Sequence, residues 1–341
     1  MKVETISSGE ASWDEFVHRH PEARGPHLSG WKQVIEKSFG HQCSYLAARE
    51  NGRLRGILPL THLRSAWFGS FLISVPYLNY GGILADDAEA QQALFDHACE
   101  LVKQRGAAHL ELRHVAALLP QVPSKAHKVS MLLELPEQAE ALWDGFKGKL
   151  RSQIRKPQKE GLSARFGRED ELESFYHVFS INMRDLGTPV YSLRFFANIL
   201  AAFPNQAHIC TVYRAREPLA SGLLFGFRDV LEIPWASALR EYNALAPNML
   251  LYWSVLEFAV RQGYRQFDFG RCTPNEGTYK FKEQWGAKPL ALHWQYWLAR
   301  DGPLPEINPH NPKYRFMIRT WQKLPVGMTR FLGPAIVKNI P

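Results

Sequence analysis

The chain repeats itself, and that repeat limits the fold more than any other feature. A first copy opens with a two-strand pattern, YLAARENGRLRGILPL (45–60), whose Asn51-Gly52 pair is a hairpin-turn signal. A helical stretch follows, QQALFDHACELVKQRG (91–106), and then a strand, AAHLELR (107–113). The second copy runs ICTVYRAREPLASGLLFG (209–226), NMLLYWSVLEFAVRQG (248–263) and YRQFDFGR (264–271). A glycine closes each helix, Gly106 and Gly263. Five residues later an acid stands between apolar neighbours: Glu111 between Leu110 and Leu112, and Asp268 between Phe267 and Phe269. Arg113 and Arg271 follow. Each copy reads as hairpin, helix, strand. The expected fold class is α/β (α+β), with two tandem domains, each a mixed, mostly antiparallel sheet flanked by helices. A length of 341 residues also exceeds what one core usually serves.

The expected boundaries follow. Residues 1–134 make the first domain and 163–300 the second. Between them, 135–162 reads as a basic amphipathic helix. Pro136 suits its start, Leu142, Phe146, Leu150 and Ile154 form its apolar stripe, and Pro157 should end it. A basic tail, 301–341, opens with a Pro/Asn loop over 301–314 and continues as a short helix over 315–324, with Phe316, Ile318 and Trp321 available for packing. It is expected to pack back on the body. Peripheral contact with the inner membrane surface is the alternative.

Charge is unevenly spread. The formal net charge is +8, yet residues 147–159 hold six Lys/Arg and no acid, and 312–341 hold another six and no acid. Elsewhere acids outnumber bases, so two basic patches sit on a mildly acidic body. Such patches are either solvated helix faces or attractors for phosphate, nucleic acid or anionic lipid. No recognised nucleic-acid motif accompanies them, which ranks a nucleic-acid binder last. Cys43, Cys99, Cys210 and Cys272 are scattered, so unpaired thiols in a reducing compartment are expected. The 13 histidines also lack ligand spacing, and no metal is expected. The opening MKVETISSGEASWDEF has no apolar leader core, and no apolar run reaches about 18 residues. The cytoplasm is the expected compartment.

Common catalytic signatures are missing: there is no G-x-G-x-x-G, P-loop, H-E-x-x-H or G-x-S-x-G. Asp268-Phe269-Gly270 spells a kinase triplet without the other kinase motifs. Cys272 has no identifiable base beside it. The tract after Gly277, TYKFKEQWG, interleaves lysine and aromatics, and the first copy has no counterpart to it.

Residues 235–271 (WASALREYNALAPNMLLYWSVLEFAVRQGYRQFDFGR) and 277–289 (GTYKFKEQWGAKP) resemble the Fem family of peptidoglycan-bridge aminoacyl transferases. They also resemble the wider acetyltransferase-like group built on a double N-acetyltransferase (GNAT) fold. HLSGWKQVIEKSFG (27–40) and LRSQIRKPQKEGL (150–162) also look like this family, and the chain, including the ending NPKYRFMIRTWQKLPVGMTRFLGP, is similar to proteins that accompany bacterial exosortase/PEP-CTERM and exopolysaccharide systems. The resemblance implies twin GNAT-like domains and acyl transfer to an amine of a cell-envelope or exopolysaccharide precursor. It implies no permanently bound cofactor, with acyl-CoA or aminoacyl-tRNA as donor and tRNA as a candidate partner. It also places Lys282, from F-K-x-x-[FW]-G, where it would steady developing negative charge. Two departures stand: REYNALAPN (240–248) replaces the GNAT pyrophosphate loop, and the helical arm of tRNA-using Fem proteins is absent. A catalytically degenerate GNAT-like module, binding a phosphorylated glycolipid or a partner protein, is therefore the alternative.

The candidate site follows from these residues. Lys282 is the candidate oxyanion stabiliser. Asp268 is a candidate base or amine holder, or else a structural partner of Arg271 or Arg240. Arg240, Tyr242 and Asn248 precede or open the helix of the second copy, where an anion can bind; N-capping is the simpler role for Asn248. Arg271, Tyr279, Lys280 and Trp285 surround Lys282 in sequence. In the first copy, Tyr77 and Tyr80 beside Gly81-Gly82 are candidates for a substrate face, or a packed turn. Trp31 is expected in the core.

Overall fold

The computed structural model describes residues 1–6, 10–65, 69–305 and 312–340. The stretch 306–311 of the expected Pro/Asn loop lies outside them. The chain divides into two compact units. Unit 1 comprises Met1–Val129, Ala291–Glu306 and Lys338–Pro341, and unit 2 comprises Ser130–Leu290 and Ile307–Val337.

Unit 1 begins with strand β1 (Lys2–Ile6) and helices α1 (Ala11–Arg19) and α2 (Gly30–Phe39). The expected hairpin is β2 (Gln42–Glu50) and β3 (Arg53–Ser65), turning at Asn51-Gly52. Strand β4 (Gly69–Ile73), the short β5 (Leu84–Ala85), helix α3 (Ala88–Gln104), strand β6 (His109–His114) and the short β7 (Ser124–Lys125) follow. Leu94, Ala98 and Val102 of α3 are buried against Leu46, Leu58, Leu60, Leu72, Leu110 and Leu112. Trp13 and Trp31 are also buried, and their indole N–H groups donate to the carbonyls of His27 and Gly25. Trp31 is thus a core residue.

Strand β8 (Val129–Glu134) leads into two helices, α4 (Ala139–Gly145) and α5 (Gly148–Lys159). This corrects the single expected helix. Leu142, Phe146, Leu150 and Ile154 are all buried, but the backbone breaks to extended geometry at Phe146 and Lys147. Pro136 precedes the first helix rather than starting it. Pro157 does not stop the second: it lies inside α5, which runs two residues further. The proline needs only to forgo one hydrogen bond near a helix end, and its ring is buried. Strand β9 (Leu162–Gly167), helices α6 (Leu172–Leu186) and α7 (Leu193–Ala202), and strands β10 (Ala207–Arg214), β11 (Glu217–Phe227) and β12 (Val230–Ala238) come next. Helix α8 (Pro247–Arg261), strand β13 (Gln266–Cys272), helix α9 (Gly277–Glu283) and strand β14 (Lys288–Ala291) complete the repeat. Strand β15 (His293–Leu298) and the tail helices α10 (Pro312–Gln322) and α11 (Val326–Val337) follow.

The two sheets have one plan. The first runs β1-β2-β3-β4-β6-β15-β7, and the second β9-β10-β11-β12-β13-β8-β14. In each, three antiparallel steps lead to one parallel neighbour, β4 beside β6 or β12 beside β13, reached through α3 or α8. The sixth position does not follow chain order. In the first sheet it is β15, from beyond the second repeat; in the second it is β8, from before it. Residues 291–300 thus belong to the first unit's sheet.

Candidate active site

The parallel pairs are where the two units differ. In unit 2, β12 and β13 are in register only at Val230↔Gln266, Leu231↔Phe267 and Glu232↔Asp268. Strand β12 runs on to Ala238 and β13 to Cys272, so the pair opens toward its carboxyl ends. The cause is local. Between Glu232 and Trp235, strand β12 carries one residue more than its partner β11, a bulge that contains Pro234. Proline has no N–H for a ladder, and a bulge bends the strand that holds it.

In unit 1 the same opening is filled by the chain itself. Pairing of β4 with β6 ends at Ile73↔Glu111. Ser74 then donates its N–H to the Glu111 carbonyl (2.9 Å), and its Oγ accepts from the Arg113 N–H (2.9 Å). The Arg113 guanidinium donates to Glu111 (2.9 Å) and to the Leu78 carbonyl, and lies 4.1 Å from the Trp294 ring centre. Gly82 N–H donates to the Arg113 carbonyl (3.0 Å), and Ile83 N–H to His114 Nε2 (2.9 Å). Residues 74–83 are zipped onto β6.

At the mouth of the unit 2 opening stands Lys282. It is buried on α9, and its ammonium donates to the carbonyls of Gly270 (2.8 Å) and Arg271 (3.0 Å) at the end of β13. Gly270 has φ +75°, a conformation that suits glycine. In that conformation its N–H donates to Asp268 Oδ1 (2.7 Å) while its carbonyl meets the lysine. Burial lowers the Lys282 pKa from its ordinary value; Cys272, Asp268 and Glu232 act the other way. Asp268 is buried, and Ser130 Oγ also donates to its Oδ1 (2.6 Å).

Glu232 was not anticipated. It is buried on β12 at the last paired position before the bulge, directly in register with Asp268. Two acids in register on neighbouring strands share a face of the sheet. Phe269 stacks on Tyr252 of α8 (5.5 Å), so Glu232 and Asp268 face away from that helix. The available signal was a lone glutamate in the apolar run VLEIPW, just before a proline. Ser130 was missed because it comes from the exchanged strand β8.

The remaining candidates separate. Arg240 and Tyr242 lie on a short 3-10 helix (Arg240–Leu245) between the end of β12 and α8; Arg240 is exposed, and Tyr242 donates to Glu217 (2.6 Å). Asn248 does not cap α8. The cap position is Ala246 at φ 54°, whose side chain has no capping group, with Pro247 first in the helix. The amino end of this 15-residue helix follows the carboxyl end of β12, where backbone N–H groups favour an anion. Arg271 and Lys280 are exposed and Tyr279 is half-buried. Trp285 is out of a substrate's reach, buried against Phe146 (5.5 Å), Phe281 (6.3 Å) and Phe269 (6.5 Å). Tyr77 and Tyr80 belong to unit 1. Tyr80 is buried under Arg24, and Tyr77 donates to the Lys338 carbonyl (2.8 Å). All four cysteines are buried, and none is in a disulfide. Among the described residues no cluster of His, Cys, Asp or Glu could hold a metal, and no helix is long and apolar enough to cross a membrane.

Residues 145–283 match the family model for the acetyltransferase (GNAT) domain. Solved structures repeat the plan of both units. FemX aligns with 86% of this chain and 97% of its own, at TM-score 0.67 and 16% identity. A tandem GNAT protein from the clavulanic acid biosynthesis pathway aligns over 89% of this chain and 99% of its own, at TM-score 0.56 and 14% identity. The fold is a tandem GNAT fold. L-PGS from Bacillus licheniformis is also similar, at TM-score 0.57 and 12% identity over 94% of this chain and 99% of its own. No curated protein matches by sequence. The matched GNAT segment contains the β12–β13 opening, Glu232, Asp268 and Lys282, all within unit 2.

Proposed function

We infer that this tandem GNAT chain is an acyltransferase that moves an acyl or aminoacyl group from a thioester or ester donor onto an amine, and that the reaction occurs in the unit 2 opening. The observation that carries this reading is the contrast between the two parallel pairs: one opening is filled by residues 74–83, while the other has a buried lysine and two carboxylates at its edge.

The amine nitrogen attacks the donor carbonyl carbon. The C–N bond forms, and the carbonyl oxygen takes the displaced electron pair. Two hydrogens of the Lys282 ammonium go to carbonyls, which leaves one to donate to that oxygen. Glu232, at the last paired position before the bulge that opens the strands, accepts the amine proton. Collapse then breaks the C–S or C–O bond, and the leaving thiolate or alkoxide picks up a proton. The amino end of α8, with Arg240 near it in sequence, is the candidate seat for the donor's phosphates.

Both donor classes fit this chemistry. The clavulanic-pathway neighbour was solved without AcCoA, which points to a thioester donor for that protein, and the resemblance to Fem proteins brings aminoacyl-tRNA. A cytoplasmic enzyme acting on an amine of an envelope or exopolysaccharide precursor is the full reading. The test is transfer from radiolabelled acetyl-CoA and aminoacyl-tRNA pools to amine-bearing precursors, comparing the wild type with Glu232→Gln. The variant should lose most turnover while its thermal unfolding stays close to wild type. Full turnover in Glu232→Gln removes the proposed base. Tight donor or precursor binding without any transfer favours the binding-module alternative.

A further inference from the structure

The tail helices have two distinct faces. On α11, Thr329, Gly333 and Val337 are buried at four-residue spacing. At Gly333 the Val190 backbone comes so near that an added Cβ would lie 2.8 Å from its N and O. Arg330 pins the same helix by donating to Ser180 Oγ of α6 (2.8 Å). On α10, Ile318 packs at Gly187, and Gln322 donates to the Asp185 carbonyl (3.0 Å). Both helices are thus fixed to unit 2.

Their other faces are apolar and open. Phe331 is 83% exposed and Phe316 73%, with Met317, Met328 and Leu332 exposed beside them in sequence and Leu186 at the end of α6. Of the large hydrophobic side chains exposed among the described residues, all but Met1 belong to these three helices. The concentration exceeds the scatter of single apolar residues normal on a soluble surface. Exposed cations flank them: Arg319 stands three residues after Phe316, on its side of α10, and Lys323 directly follows the helix end. Residues 312–341 contain no acid.

We propose that the outer faces of α10 and α11 form a docking surface for an anionic phospholipid bilayer, with Phe316 and Phe331 entering the interface and Arg319 and Lys323 meeting lipid phosphates. Anchored helices with aromatic and methionine side chains beside exposed cations match the layered chemistry of a headgroup region. A second copy of the chain fits less well, because a two-fold contact would bring the same cations face to face. The inference does not depend on the proposed reaction, and its test does not read turnover.

The experiment is co-sedimentation of the full-length protein with phosphatidylglycerol/phosphatidylethanolamine vesicles, and with phosphatidylcholine vesicles as control. Binding to the anionic vesicles is expected, decreasing as salt rises. Both phenylalanines are exposed, so Phe316→Ser/Phe331→Ser should fold as the wild type does and bind about tenfold or more weakly. In a Phe331→Trp variant the added indole should show blue-shifted emission and quenching by brominated lipid. Three results each overturn the proposal: no sedimentation with anionic vesicles, binding unchanged in the double variant, or a lipid-free dimer that the double substitution converts to monomer.

Discussion

Lys282 sits under two constraints at once. It is buried and ties α9 to the end of β13 through two carbonyls, while the proposed reaction needs its charge. Replacing it with Met should lower kcat about 10²–10³-fold, the usual loss of one oxyanion donor. Because burial lowers its pKa, the alkaline decline in turnover should begin below the ordinary lysine range. Lys282→Arg, which stays charged, should retain partial activity and move that decline upward; a pH–rate profile of both proteins checks this. The sequence pointed to this lysine through its motif, but Glu232 became visible only when strand register set it beside Asp268. In unit 1, His27 and His114 carry a different pH dependence. Burial holds their pKa values at about 3 and about 4, so the fold keeps both neutral. Their stability contribution is complete above the unfolded value of about 6.5 and is lost as pH falls through the folded values. Within that window each histidine adds a slope of about 1.4 kcal/mol per pH unit. Thermal unfolding at pH 7, 5.5 and 4.5 should show the loss, and His114→Gln should flatten it.

At the scale of elements, periodicity was readable and interruptions were not. The stripe Leu142, Phe146, Leu150 and Ile154 is buried as its spacing predicts, yet it spans two helices, because side-chain periodicity does not report the extended break at Phe146 and Lys147. Pro234 is the opposite case. A proline inside a strand pattern marks a bulge, and here the bulge opens the candidate site. Helix caps carry a measurable consequence. Ser192 caps α7 by accepting from the Phe195 N–H (3.2 Å), and Phe195 and Phe196 pack on Trp235 of the bulged strand (5.4 and 5.5 Å). Ser192→Ala should therefore cost about 1 kcal/mol. Chemical denaturation should report that loss as a lower midpoint with an unchanged slope.

For the molecule as a whole, the repeat was legible because each copy keeps its hairpin, its helix and its acid-bearing strand. The exchange of β8 and β15 was not, because no pattern within a strand names its sheet. Gln295 of β15 shows how specific that pairing is: it is buried in unit 1 and bonds to His114 Nδ1 (3.1 Å) and to the Leu119 N–H (3.2 Å) and carbonyl (2.7 Å). Residues 1–128 made alone should be insoluble, with β6 left as an open edge. The same residues joined by a flexible linker to 291–305 should unfold cooperatively, as followed by circular dichroism. Synthesis makes the same point in time. When His114 leaves the ribosome, the strand that will cover β6 has yet to be translated, and chains grow at about 5–20 residues per second. The first unit to emerge is thus the last to be finished, and for on the order of ten seconds or more its sheet must wait with one edge unpaired.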